Sequence, residues 1–380
     1  MDLDLATCLF TGLSSDSLQD KHIIWDDGRF TTATQRVFAK DVIKFVRRKE
    51  QCILPNPFDI PDEYFLEAFR FNKLLYQDFL LVLCLRTYYR SEVDSNRMPL
   101  DLRVLATLTY LAYGHFDALK PLDGFRFYSL GSLQQCVAEV CELIVHFMAT
   151  DYVVFPSNSD EAKDIKRGFD MQYGVPNVVG IMDCFHVRLV KVDPPFHNAF
   201  KCRHGNLTIN VQVICDHKLR FLDVNPRASG GTSDIFVWNR SHIKGIVKNL
   251  YKTEPTWLIA DRGYHLEDIL INPYRNPNSK SEIRLNTVFE SMLGVLDTAV
   301  VMLTSRFRCL KTILPYNHQI AANIVTACVT LHNYLLSKDC AMDEHLMSIV
   351  PKRKKLPNAI HEDEWSAGFK HREYIRTYLD

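Results

Sequence analysis

VVGIMDCFHVRLV, residues 178–190, is an apolar, β-branched run with one acid, Asp183, near its middle. So apolar a stretch reads as a strand inside a sheet, where an unpaired carboxylate costs several kcal/mol of desolvation. A basic partner, a proton or a bound cation must offset that charge. A second stretch repeats the pattern: TWLIADRGY, residues 256–264, runs apolar into Asp261 and breaks at Gly263. Two strands that each deliver a carboxylate point to a metal site made of hard oxygen ligands.

Around these two stretches the pattern is α/β. Strands are expected at 178–190, 208–215, 221–224 and 257–260, and helices at 233–247, 283–303 and 318–336. Together they predict a mixed sheet covered by helices over residues 151–337. Upstream, residues 62–150 have the helical period throughout, as in LGSLQQCVAEVCELIVHFM at 130–148, with Ser132 as a candidate N-cap. Two of these helices, joined near residues 123–131, have the outline of a helix-turn-helix. The second carries Glu139 and Glu142 and almost no basic residue, which suits a plain bundle equally well. Residues 1–61 form an N-terminal segment expected to be partly disordered, with a short basic helix candidate at 37–48. Residues 338–380 read as a charged tail holding PKRKK at 351–355, a candidate nuclear import run, and HEDE at 361–364.

Composition narrows the function classes. Lys plus Arg and Asp plus Glu number 45 each in 380 residues, so no overall field draws the chain to nucleic acid or to a membrane surface. Contacts with DNA must come from local basic patches. The eleven cysteines form no CxxC pair and mostly lie in apolar runs, the pattern of reduced, buried thiols. Neither a signal peptide nor an apolar run of eighteen residues stands out, so secretion and membrane spanning are not expected.

A metal-dependent phosphodiester cutter needs a third carboxylate beside Asp183 and Asp261. The helix at 283–303 offers two, Glu290 and Asp297, flanking the apolar stripe Val288, Phe289, Met292, Leu296, Ala299 and Leu303. They stand seven residues apart, about 10 Å along the axis, so both cannot serve one ion. Spacing alone leaves the choice open.

GIMDCFHV, then IADRGYHLEDILINPY, then TSRFRCL, then IVTACVTLHNYLL resemble, in order and spacing, the catalytic domain of the PIF/Harbinger transposases and of nucleases derived from them. The resemblance extends through FRFNKLLYQDF and LATLTYLAYG and covers about residues 62–337. It implies an RNase-H-like fold with a DDE acid triad, two divalent ions (Mg²⁺ or Mn²⁺) and cleavage of DNA. Carried over by motif, the first acid is Asp183 and the second Asp261. The third, nine residues before Arg306, is Asp297, an Asp where that family usually has Glu; Glu290 remains the fallback.

His186, Lys201, Arg203 and Arg262 are candidates to contact the substrate, and Asp234, in GGTSDIFVW, to support the site. The resemblance also implies a separate Myb-like DNA-binding partner and action in the nucleus, with the cytoplasm as a second location and self-association as a further option. The alternative to a nuclease is a domesticated, non-cutting scaffold that binds DNA or protein, and the Asp at position 297 is the feature that favours it.

Overall fold

A computed structural model describes residues 57–87, 98–119, 125, 128–338 and 367–379. The helix expected at 37–48, the basic run at 351–355 and the acidic run at 361–364 lie outside the described residues. The described chain clusters into two compact units. One runs to Thr109 and takes in His115–Val137; the other is Tyr110–Gly114 with everything from Ala138 onward.

The first unit is helical. Helix α1 (Asp62–Phe69) ends where Arg70 takes a left-handed conformation, φ 62°, and donates its N–H to Leu66 O. Helix α2 (Lys73–Thr87) then packs Tyr76 edge-on to Phe65, which in turn stacks on Phe58. Helix α3 (Leu100–Tyr113) and helix α4 (Leu130–Tyr152) both begin in this unit and end in the second. The cap of α4 is Ser129, whose Oγ accepts from Ser132 N; Ser132, expected as the cap, already lies inside the helix.

The second unit holds the sheet. Helix α5 (Ser159–Tyr173) is capped by Asn158 and closed by Gly174 in the left-handed region, and it packs on β1 (Val178–Leu189). Next come a short helix, α6 (His197–Phe200), then β2 (Thr208–Cys215) and β3 (Phe221–Ser229). Helices α7 (Asp234–Arg240) and α8 (His242–Thr253) replace the one helix expected there, broken at the extended Ser241. Strand β4 (Trp257–Ala260), the short β5 (Leu270–Ile271), helix α9 (Lys280–Arg306), β6 (Ile313–Leu314) and helix α10 (His318–Ser337) complete the order.

Strand order is β3-β2-β1-β4-β5, with β6 joining the far end of β1. The β1–β2 and β2–β3 pairs are antiparallel, and the β1–β4 and β4–β5 pairs parallel, so the sheet is mixed, as expected. β1 lies in the middle, paired on both sides, which is why it is so apolar. Helix α9 packs on β1, β2 and β4, and α10 on β3. By length and apolar composition α9 and α10 would suffice to cross a membrane, which the apolar runs of the sequence did not bring out; here both cover the sheet. The entry to β4 is pinned by Lys166 of α5, whose buried Nζ donates to Glu254 Oε1 at 2.6 Å, Pro255 O at 3.0 Å and Thr256 Oγ1 at 2.6 Å.

The stretch after Ser337 is not all tail. Residues Ala367–Leu379 form helix α11, which docks on α9 and β5. Its Arg372 is fully buried over the Tyr274 ring, 4.0 Å from the centroid, and Arg376 Nη1 donates to Ser281 Oγ at 2.9 Å. A charged composition hid this helix, because its buried cation is satisfied by an aromatic face instead of marking a solvated surface.

Asp223 of β3 is a buried acid with a testable consequence. Its Oδ2 has no hydrogen-bond partner, and the imidazole of His242 stands 3.7 Å from Oδ1. Burial pushes its carboxyl up to about 6, against the pull of His242. An acid whose pKa is raised by folding stabilises the fold fully below the ordinary carboxylate range and loses that contribution as pH rises through about 6. Asp223→Asn should therefore gain on the native chain by on the order of 3 kcal/mol between pH 4 and pH 7 in denaturant melts. An unchanged difference at the two pH values would refute this.

Candidate functional site

The site is set by one register. In the parallel pair β1–β4, Ile181 faces Ile259 and Met182 faces Ala260. One step further along each chain stand Asp183 and Asp261. In-register neighbours on parallel strands point to the same face and lie about 4.8 Å apart across the sheet. Both acids are half-buried. β4 stops at Ala260, and Asp261 opens a turn in which its Oδ1 accepts from Gly263 N at 2.8 Å and its carbonyl from Tyr264 N at 3.3 Å. Asp183 Oδ1 likewise accepts from the next backbone N–H, Cys184 N, at 2.8 Å.

Helix α9 covers this face. Asp183 and Asp297 line one small cleft of about 100 Å³ with Phe185, Val213, Leu296 and Val300. The stripe Phe289, Met292, Leu296, Ala299 and Leu303 is buried as expected, which turns the half-buried Asp297 toward the sheet. Glu290, two turns earlier, is mostly exposed and pairs with Arg262, Oε1 to Nη2 3.2 Å. Arg262 is thereby held at the rim, and its carbonyl accepts from Arg275 Nη2. Asp261 does not line the cleft.

Among the described residues no three His, Cys, Asp or Glu side chains are grouped closely enough to hold a metal ion between them. Asp183, Asp261 and Asp297 are hard oxygen donors of the type that a divalent cation takes. The backbone N–H groups of Cys184 and Gly263 donate to Asp183 and Asp261.

Alternation along β1 sends Cys184 and His186 to the opposite face. There His186 Nδ1 bonds Thr208 Oγ1 at 3.0 Å; desolvation holds the imidazole below its ordinary pKa, with Arg203 and His204 acting the same way and Asp234 opposing. Lys201 and Arg203 are exposed on the β1–β2 loop, and Arg203 Nε donates to His204 Nε2 at 3.2 Å. Asp234 does not cap α7, since Ser233 does; its Oδ1 accepts from Asn210 Nδ2 at 2.7 Å. Sequence reasoning missed Asn210, Cys184 and Tyr264 as partners here. Cys184 and Tyr264 directly follow the two acid motifs, but only the sheet makes them neighbours: Cys184 Sγ and Tyr264 OH are 3.4 Å apart.

Residues 182–333 match the DDE superfamily endonuclease family. The chain is 28% identical over 289 residues to HARBI1 of Mus musculus, 75% of this chain and 80% of that protein. It is 28% identical over 283 residues to HARBI1 of Homo sapiens, with 73% and 79% covered. The names of both describe a nuclease. A further relative, 25% identical over 209 residues, is the Antagonist of like heterochromatin protein 1 of Arabidopsis thaliana, with 51% of this chain and 52% of that protein covered. No solved structure matches the chain.

The loop bearing Lys201 and Arg203 is tethered at its base by Gly230 N to Thr208 O and Gly231 N to Ala199 O, 2.8 Å each. A Cβ at Gly230 would fall 1.9 Å from Thr208 Oγ1 and 2.6 Å from Thr208 O. Gly230→Ala should destabilise the chain by about 1–3 kcal/mol, read as a lower denaturant midpoint.

Proposed function

From the premise that the chain belongs to the Harbinger-derived DDE transposase family, we propose that it is a divalent-metal-dependent DNA endonuclease with an RNase-H-like catalytic unit. The observation that supports this reading is the β1–β4 register: Asp183 and Asp261 each follow its last paired residues, and Asp183 lines one cleft with Asp297 of α9. The mixed sheet with its central strand bearing the first acid supports the fold assignment.

In this reading Asp183, Asp261 and Asp297 would hold the divalent ions. Asp is one methylene shorter than Glu, so Asp297 acts from a helix seated close on the sheet. Its place in one cleft with Asp183 favours it over Glu290, which Arg262 engages at the surface. Bound there, such ions lower the pKa of a coordinated water and neutralise charge developing on the phosphodiester. The exposed cations Lys201 and Arg203 bind backbone phosphates beyond the acids, and Arg262 adds a further contact. With a formally neutral chain, DNA is held weakly by this protein alone, and a separate Myb-like DNA-binding partner supplies the target sequence in the nucleus.

A second reading, a non-cutting scaffold descended from such an enzyme, draws on two observations. Asp stands at position 297, and among the described residues no three ligand side chains are grouped.

Thermal unfolding with and without Mn²⁺ separates the readings, because an ion that binds only the folded chain raises stability by RT ln(1 + [L]/Kd). At a concentration a hundredfold above Kd the native chain should gain about 2.7 kcal/mol. Asp183→Asn, Asp261→Asn and Asp297→Asn should lose that gain, and Glu290→Gln should keep it. No gain in the native chain, with or without DNA, selects the scaffold. Binding to DNA should weaken steeply between 50 and 200 mM salt in a fluorescence titration; a flat response would count against phosphate contacts by the loop.

A further inference from the structure

Beneath the acids, on the face of the sheet that α9 does not cover, lies a side-chain contact that none of the motifs explains. Tyr264, 1% exposed, follows Asp261 by three residues, and its hydroxyl meets the sulfur of Cys184, which directly follows Asp183, at 3.4 Å. Burial, and after it the charge of the nearby Asp234, push the Cys184 thiol up. Asp234 accepts from Asn210 Nδ2 at 2.7 Å, and Asn210 is fully buried on β2, opposite His186. Either the hydroxyl or the thiol can donate across the Tyr264–Cys184 contact. The Tyr264 carbonyl is itself held by Asn272 Nδ2 at 2.9 Å.

We propose that Cys184 and Tyr264 are positioning residues that set the separation of Asp183 and Asp261 from the opposite face of the sheet. The two strands are joined by backbone bonds only as far as Met182 and Ala260, and Asp261 already lies in a turn. Beyond that point the Cys184–Tyr264 contact is a cross-link between the two acid-bearing segments. Partners of this kind behind metal ligands typically change affinity by roughly 10–100-fold when removed. The inference rests on the endonuclease reading for its purpose but not for its first measurement.

Hydrogen exchange on the full, metal-free chain tests the cross-link directly. Tyr264→Phe should speed amide exchange at residues 261–264 while the remainder of the sheet keeps native protection. Calorimetric titration with Mn²⁺ then tests the purpose. Tyr264→Phe, which removes one hydroxyl, should weaken Mn²⁺ binding roughly 10–100-fold, and Cys184→Ser, which keeps a donor and an acceptor, should bind close to the native chain. Unchanged exchange at 261–264, native Mn²⁺ affinity in Tyr264→Phe, or loss of protection across the whole sheet would each overturn the proposal. If the native chain itself takes up no Mn²⁺ while local exchange rises as expected, the endonuclease reading falls and the cross-link stands.

Discussion

The parallel pairing of β1 with β4 is the constraint around which the second unit is arranged. Asp183 and Asp261 follow its last paired residues, Met182 and Ala260, so the sheet brings their backbone segments together. Both acids are half-buried. Each takes a local backbone N–H, and the turn after Asp261 owes its shape to that bond. The buried stripe of α9 seats the helix on β1 and β4, and Asp183 and Asp297 line one cleft between them.

Supports for this arrangement come from distant parts of the chain. Lys166, on a helix that precedes the sheet, fixes the three residues that lead into β4. From the other end of the sequence, α11 buries Arg372 against Tyr274 on the segment between β5 and α9. A charge removed from water in this way is tolerable only with a close partner, and the ring face supplies it. The same logic separates Asp234 from Asp223. The half-buried Asp234 is bonded by Asn210, whereas the buried Asp223 keeps an oxygen without a partner and its carboxyl is pushed up by burial.

The catalytic-type unit was more legible than its supports. Strands β2 and β4 fall where their β-branched runs predict, at Thr208–Cys215 and Trp257–Ala260, because interior strands are mostly apolar. β3 runs on to Ser229, past the point where its apolar signal ends, since the backbone pairing with β2 needs no apolar side chain. The two-residue strands β5 and β6 have too short a pattern to read at all. The break at Ser241 escaped because both halves of the expected helix keep an apolar face, and the helix at 367–379 escaped because its charge content resembles a solvated tail.

The sequence by itself determined the element types, the two acid-bearing strands and the helix that brings a third acid, since periodicity and apolar runs are local properties of the chain. It left Glu290 and Asp297 as rivals and treated Cys184, Asn210 and Tyr264 as letters in motifs. Only the tertiary structure decided that Asp297 shares a cleft with Asp183 while Glu290 faces Arg262, and that Cys184 meets Tyr264. Those outcomes depend on the register between strands 80 residues apart and on the rotation of a helix over them. Both are set by packing between segments that no local pattern connects.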